Sequence, residues 1–189
     1  MKRIALAIAT ITALTTVALL AGCSSSTPAA THATTAAAQT GKAGNLPTSY
    51  TSKAHGFTIN FPSKPSSATH VVSIGGIDIT EESVQWTQGN DKLLAVGAAV
   101  LPEASVQGQS SQTLLLNSLN GAATNMKAQI ENITPITIDG LSGMSGTVSN
   151  VANSGQDAVI AVAMNGNTQY TFAAAPTSSL AAFLRTFKK

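Results

Sequence analysis

The sequence predicts an α+β domain, a mainly antiparallel sheet with helices packed on it, in the approximate order ββββ-α-ββββ-α. Three observations carry this reading. Two runs of short apolar strands are punctuated by glycine-containing turns, one stripe of apolar residues at helical spacing separates the runs, and a second short stripe closes the chain. Composition agrees: of 189 residues 43% are hydrophobic and only 10% charged. That is ample for a packed core and well below the roughly one-quarter charged residues of an average soluble domain, so wholesale disorder, collagen and coiled coil are excluded. One domain of ordinary size with spare length is expected.

The folded part is expected over residues 50–189. Phe57, Ile59 and Phe61 alternate with Thr58 and Asn60, the pattern of a strand with one buried face, and Pro62 ends it. Val72, Ile74, Ile77 and Ile79 flank Gly75-Gly76, a two-residue hairpin signal. That turn pairs residues whose numbers sum to 151 and so sets His70 opposite Glu81. Glu82 to Gln88 carries Trp86, and after a Gly89-Asn90 turn Leu93 to Leu101 is apolar on both faces, as in a strand central to its sheet.

The helix that follows is capped by Ser110 or Ser111, and Leu115, Leu119, Ala122, Met126 and Ile130 form its stripe. Gly121 within it is a mild cost. Four further strands are read as Ile133 to Ile138, Leu141 to Val151, Ala158 to Met164 and Asn167 to Ala174, with Asp139-Gly140 and Asn165-Gly166 as turns. The last helix starts at Thr177 or Ser178 and sets Leu180, Phe183, Leu184 and Phe187 on one face.

The N-terminal segment has a different character. Met1-Lys2-Arg3 is a positive n-region, Ile4 to Leu20 is almost wholly Ile, Leu, Val, Ala and Thr, and Leu20-Ala21-Gly22-Cys23 follows. This resembles a bacterial lipoprotein signal peptide (residues 1–22) ending in its lipobox. The resemblance implies that Cys23 receives a diacylglycerol, that the chain is cut before it, and that the new N-terminus is acylated with a fatty acid such as palmitate. The small Ala21 and Gly22 suit close approach by a protease, and a thiol is nucleophilic enough to form the thioether. A membrane-spanning anchor is the weaker alternative, since the run is short and holds Thr10, Thr12, Thr15 and Thr16. Cys23 is the only cysteine, so an intramolecular disulfide or a cysteine metal cluster is not expected.

Residues 23–49 are rich in Ser, Thr, Ala, Pro and Gly, the composition of a tether. As flexible coil such a segment reaches on the order of 25 to 30 Å. His32 within it reads as a solvated histidine, and the Ser/Thr content would suit O-glycosylation. Without Lys2 and Arg3 the chain has eight basic and eight acidic residues. A basic nucleic-acid surface is therefore not expected.

Tyr50, the Gly56-Phe57-Thr58-Ile59-Asn60-Phe61-Pro62 run, the Gly140 hairpin, Tyr170 in the penultimate strand and the Phe183 to Phe187 terminal helix resemble bacterial lipoproteins with a PsbP-like domain. The resemblance implies an α/β/α sandwich about an antiparallel sheet over Tyr50 to Phe187. Members act as assembly factors or binding modules, so it implies no catalytic residue.

Motifs for chemistry are sparse. Gly143-Met144-Ser145-Gly146 is followed by Thr147 where a nucleophile elbow requires glycine. Phosphate loops, dinucleotide fingerprints, zinc-protease motifs and calcium loops do not occur, so no cofactor or metal is expected. His70 and Glu81, with Asp78 and Glu82 close in sequence, form the one polar cluster, and a cross-strand ion pair explains it without function. His55 reads as a turn histidine. Trp86, Tyr170, Phe172 and Phe183 read as core, and Arg185, Lys188 and Lys189 as a cap on the last helix that could also touch anionic headgroups.

The expectation is a non-enzymatic, membrane-anchored binding or assembly module on the extracytoplasmic face of a cell membrane, or of an outer membrane, since Ser24 is not an aspartate retention signal. An envelope protein is the expected partner. The alternative is a carrier of a lipid or other apolar ligand, with room at Ala95, Gly97, Ala161 and Ala163. A hydrolase using His70 or His55 is the remaining possibility.

Overall fold

The structure is a computed structural model that describes residues 45–74, 77–89, 91–151 and 155–189. The lipobox residues Leu20 to Cys23, His32, the Gly75-Gly76 turn and Asn90 lie outside the described residues. In chain order the elements are β1 (Thr48–Ser52), β2 (Phe57–Phe61), β3 (Ser66–Ile74), β4 (Ile77–Gln88), β5 (Lys92–Val100), α1 (Glu103–Val106), α2 (Ser111–Asn125), β6 (Gln129–Ile138), β7 (Leu141–Ser149), β8 (Ala158–Asn165), β9 (Thr168–Ala175) and α3 (Leu180–Arg185). The α+β class and the antiparallel sheet are as expected.

Seven strands make the main sheet, in the order β3-β4-β5-β9-β8-β7-β6, every neighbouring pair antiparallel. β5 and β9 join the N-terminal meander β3-β4-β5 to the C-terminal meander β6 to β9. Strands inside a sheet covered on both faces need apolar residues at successive positions. Accordingly β5 is buried from Leu93 to Ala99 and β9 from Gln169 to Ala174. The register follows the expected sum, with Val72 opposite Ile79 and His70 opposite Glu81.

On one face lie α3 and the separate two-stranded β1-β2 hairpin, whose Phe57, Ile59 and Phe61 meet Tyr170, Phe172, Phe183 and Phe187 in the main core. The rings interlock, Phe172 and Phe187 edge to face at 5.1 Å and Phe61 against Phe183 at 5.1 Å. On the other face α2 lays Leu115, Leu119, Ala122, Ala123 and Met126 on Met144, Val148, Ile160 and Val162. Each such large side chain stabilises the fold by about 1.5–3 kcal/mol. Helices on both faces make the sandwich the resemblance implies.

Ser110 caps α2, its hydroxyl accepting from the Thr113 N–H at 3.1 Å. The helix is also registered on the sheet by a buried polar chain. Ser118 Oγ donates to Gln169 Oε1 at 2.7 Å, and Gln169 Nε2 donates to Thr171 Oγ1 at 3.1 Å.

Several local expectations need correction. A strand, β1, lies across Thr48 to Ser52, so this element starts inside the stretch read as tether. Among the described residues five strands rather than four precede α1 and α2, and β4 runs unbroken from Ile77 to Gln88. Ile130 is not part of the helix: α2 stops at Asn125, Lys127 takes φ of 51°, and Ile130 reaches the same apolar cluster from β6. The β8-β9 turn falls on Gly166-Asn167, because Asn165 pairs with Thr168. The Asp139-Gly140 turn is as read, with φ of 48° and 82°, positive at both central residues as a type I′ hairpin needs.

Candidate functional site

The densest polar constellation among the described residues joins the β1-β2 hairpin to β4. β1 alternates exposed and covered residues, which turns Tyr50 and Ser52 toward the sheet. There they meet Glu82. Tyr50 Oη donates to Glu82 Oε1 at 2.5 Å, and Ser52 Oγ donates to Oε2 at 2.5 Å. His55, in the turn between β1 and β2, donates its backbone N–H to Ser52 Oγ at 3.0 Å and sets its Nε2 3.9 Å from Glu82 Oε2. Its carbonyl accepts from Tyr170 Oη at 3.2 Å and from Lys189 Nζ at 3.3 Å.

The chemistry of this cluster is that of a held carboxylate. Both Glu82 oxygens are taken by hydroxyl donors, and the hydroxyl of Ser52, only 1% exposed, points at a carboxylate and not at a histidine nitrogen. A serine nucleophile needs the reverse, a base receiving its proton and an open path to the oxygen. Tyr50 is held above the ordinary tyrosine range, first by burial and then by its hydrogen bond to Glu82 and that carboxylate's negative charge. The arrangement keeps a neutral phenol against an anion, which suits a tie between two sheets.

The expected His70, Glu81, Asp78 and Glu82 grouping is split by the pleat. His70 and Glu81 pair across β3 and β4 on the α2 side of the sheet. Glu82, one residue on, faces the hairpin, and Asp78 accepts a hydrogen bond from the Ser73 hydroxyl. Glu81 is buried at 3% exposure, and His70 Nε2 is enclosed with no hydrogen-bond partner. Among the described residues no three His, Cys, Asp or Glu side chains are grouped to hold a metal ion. Ser145 lies within β7, opposite Thr134 of β6 and Ala161 of β8, with no strand-to-helix turn around it.

The basic C-terminus does more than cap α3. Lys188 Nζ donates to Asp139 Oδ1 at 2.9 Å and the Lys189 N–H to Oδ2 at 2.8 Å. These two contacts, the Lys189 hydrogen bond first, hold Asp139 below the ordinary aspartate range. Lys189 Nζ stands 5.8 Å from the centre of the Tyr170 ring, and a Thr58-Lys188 bridge joins this tail to β2.

The residues read as possible ligand room are packed. Ala161 and Ala163 sit in the core at 0% exposure. The space beside Ala95 and Gly97 is about 10 Å³, no more than one water occupies. A larger open groove of about 500 Å³ lies at the end where the described chain begins, lined by Leu46, Pro62, Trp86, Lys92, Pro176 and Ala182 among others. There Trp86 is half-buried, and its indole N–H donates to Ser63 Oγ at 2.8 Å. Among the described residues no helix is long and apolar enough to cross a membrane.

Sequence reasoning missed the meeting of Tyr50, Ser52, His55 and Glu82. The available signals were the i, i+2 spacing of Tyr50 and Ser52 and the alternation that separates Glu82 from Glu81.

No family model matches the chain, and no curated protein matches it in sequence. Among solved structures it is similar to a cyanobacterial PsbP (CyanoP) from Synechocystis sp. PCC 6803, with a TM-score of 0.50 over 74% of this chain and 90% of that one, at 14% sequence identity. The fold is PsbP-like.

Proposed function

We propose that this chain is a lipid-anchored binding or assembly module of the cell envelope, a non-catalytic PsbP-like domain held off an extracytoplasmic membrane face by a flexible linker. The observation that carries the reading is the sequence Leu20-Ala21-Gly22-Cys23 at the end of an apolar run, followed by a tether and a domain of PsbP-like fold. Acyl chains on Cys23 contribute about 0.8 kcal/mol for each buried methylene, so a multiply acylated cysteine is a lasting anchor. The engagement of Glu82 by two hydroxyl donors favours a structural use for the cluster it forms with Tyr50, Ser52 and His55.

The close packing at Ala161, Ala163 and Gly97 favours protein contact over apolar cargo. Native mass spectrometry of the full chain, extracted from its host membrane in mild detergent and compared with its denatured mass, tests this. A second polypeptide's mass on the native ion supports the module. A discrete small-molecule mass that vanishes on denaturation contradicts it and establishes a carrier.

A further inference from the structure

The two edges of the main sheet are built differently. β6 carries three features that discourage strand addition: Glu131, Pro135, and a register shift between Glu131 and Thr134 where Asn132 takes φ of 53°. β3 has none of these. Its nine residues, Ser66 to Ile74, hold unbroken register against β4 and contain no lysine, arginine, acid or proline. Along its other side no strand pairs with it among the described residues. Midway along it Val71 is 63% exposed, the most exposed of the large apolar side chains among the described residues.

Val71 is also the outer end of a row of β-branched residues. It pairs with Thr80 of β4, and the register that sets Glu81 opposite Ala99 brings Thr80 level with Val100 of β5, which is 48% exposed. Val100 in turn pairs with Thr168. A row of β-branched residues thus crosses one face of the sheet and ends at an open edge.

We propose that β3 is a self-association edge, on which a second copy of this chain adds its own β3 antiparallel about a two-fold axis at Val71. The axis sets Val71 against Val71 of the second copy, Thr69 against Ser73 and His70 against Val72, and makes the two Val71-Thr80-Val100 rows one. Charge favours a second copy as the occupant. Two-fold pairing sets residues of the same strand against one another, and like charges directly opposite destabilise a strand pair. A strand with no Lys, Arg, Asp or Glu meets no such penalty in any register, whereas β6 carries Glu131 and Pro135. Seven paired residues supply about six new backbone hydrogen bonds, and the valines are withdrawn from water. The proposal does not depend on the lipid anchor or on the identity of any other partner.

The test is light scattering and sedimentation of the full chain in mild detergent up to about 100 µM, a range that captures weak dimers, for the parent and for Val71→Lys. The expected result is twice the chain mass for the parent and once the chain mass for Val71→Lys. Because Val71 is exposed, the variant should keep the parent's urea midpoint when both are measured at a dilution where the parent is monomeric. Val71→Cys, treated in intact cells with a short thiol crosslinker beside the parent, should give a homodimer band that the parent lacks. A monomeric parent overturns the proposal, as does a dimer that survives Val71→Lys, or a Val71→Cys adduct formed only with a different protein.

Discussion

The hydroxyl of Ser52 donates to Glu82 Oε2 at 2.5 Å, tying the separate β1-β2 hairpin to the main sheet across thirty residues of sequence. Tyr50 repeats the tie at the other oxygen. A carboxylate that receives two hydroxyl donors in a largely enclosed site gains charge-assisted hydrogen bonds, each stronger than its neutral counterpart. Removal of the carboxylate leaves both hydroxyls without their acceptor. Glu82→Ala should therefore destabilise the domain by about 2–4 kcal/mol, and Ser52→Ala by about 1–3 kcal/mol, read from urea midpoints. A Glu82→Ala midpoint equal to the parent's would remove this cluster from the account.

Tyr50 gives the same tie a pH signature. Its folded-state value lies above the ordinary 10.0, so the folded chain keeps its phenol proton at pH values where the unfolded chain has lost it. The contribution is fully present below pH 10 and is lost as pH rises through the folded value. Tyr50→Phe should flatten the alkaline limb of the stability curve relative to the parent. The difference between the two curves isolates Tyr50 from every other group of the chain.

Asp139 behaves in the opposite sense. Its folded value lies below the ordinary 3.8, so its contribution is present above that value and lost as pH falls through the folded one. Asp139→Asn should lose part of the parent's stability near neutral pH and show a shallower acid limb. High salt should weaken the Lys188 contact, because Lys188 is well exposed. An unchanged acid limb in the variant would show that the C-terminal tail is not held by this carboxylate.

Glycine at position 143 is required by the approach of a neighbouring strand. A Cβ there would sit 2.5 Å from the Val162 carbonyl oxygen, a backbone atom that cannot swing aside. At Gly146 the nearest atoms, at 2.7 Å, belong to the side chain of Ile130, which can rotate. Gly143→Ala should cost about 1–3 kcal/mol and more than Gly146→Ala, as judged by thermal midpoints of the two variants. The reverse order would contradict the strand spacing described for β7 and β8.

Ser118 tests the seating of α2. Ser118→Ala leaves the buried Gln169 carbonyl without its donor and should cost about 1–3 kcal/mol. The paired change of Ser118→Ala with Gln169→Leu should recover part of that loss, since it removes the stranded carbonyl, and only part because Thr171 Oγ1 then loses its Gln169 donor. Failure of the second change to recover any stability would place the cost in packing.

Much of the sheet was legible because local signals and tertiary demands agree. The spacing of Val72, Ile74, Ile77 and Ile79 fixes the β3-β4 register through the pleat, and Asp139-Gly140 supplies the positive φ that its turn requires. Ser110 marks the start of α2 by the capping chemistry of its hydroxyl. β1 was not legible, since Tyr50 is the one large apolar residue in Thr48 to Ser52 and five mostly polar residues carry no hydrophobic period. Ile130 extends the helical stripe numerically, yet the break at Lys127 delivers it from a strand into the same cluster. The Glu82 site was hidden for a different reason. Its members come from β1, a turn and β4, and only the docking of the hairpin on the sheet brings them together.

The central claim, a PsbP-like domain anchored through Cys23, is tested most directly by mass spectrometry of the N-terminal peptide of the protein isolated from its host's membranes. The account predicts a peptide that begins at Cys23 and carries a diacylglycerol on its thiol, with a further acyl group on the new amine where the host adds one. A peptide that retains Met1, or one that contains an unmodified Cys23 thiol, would contradict it.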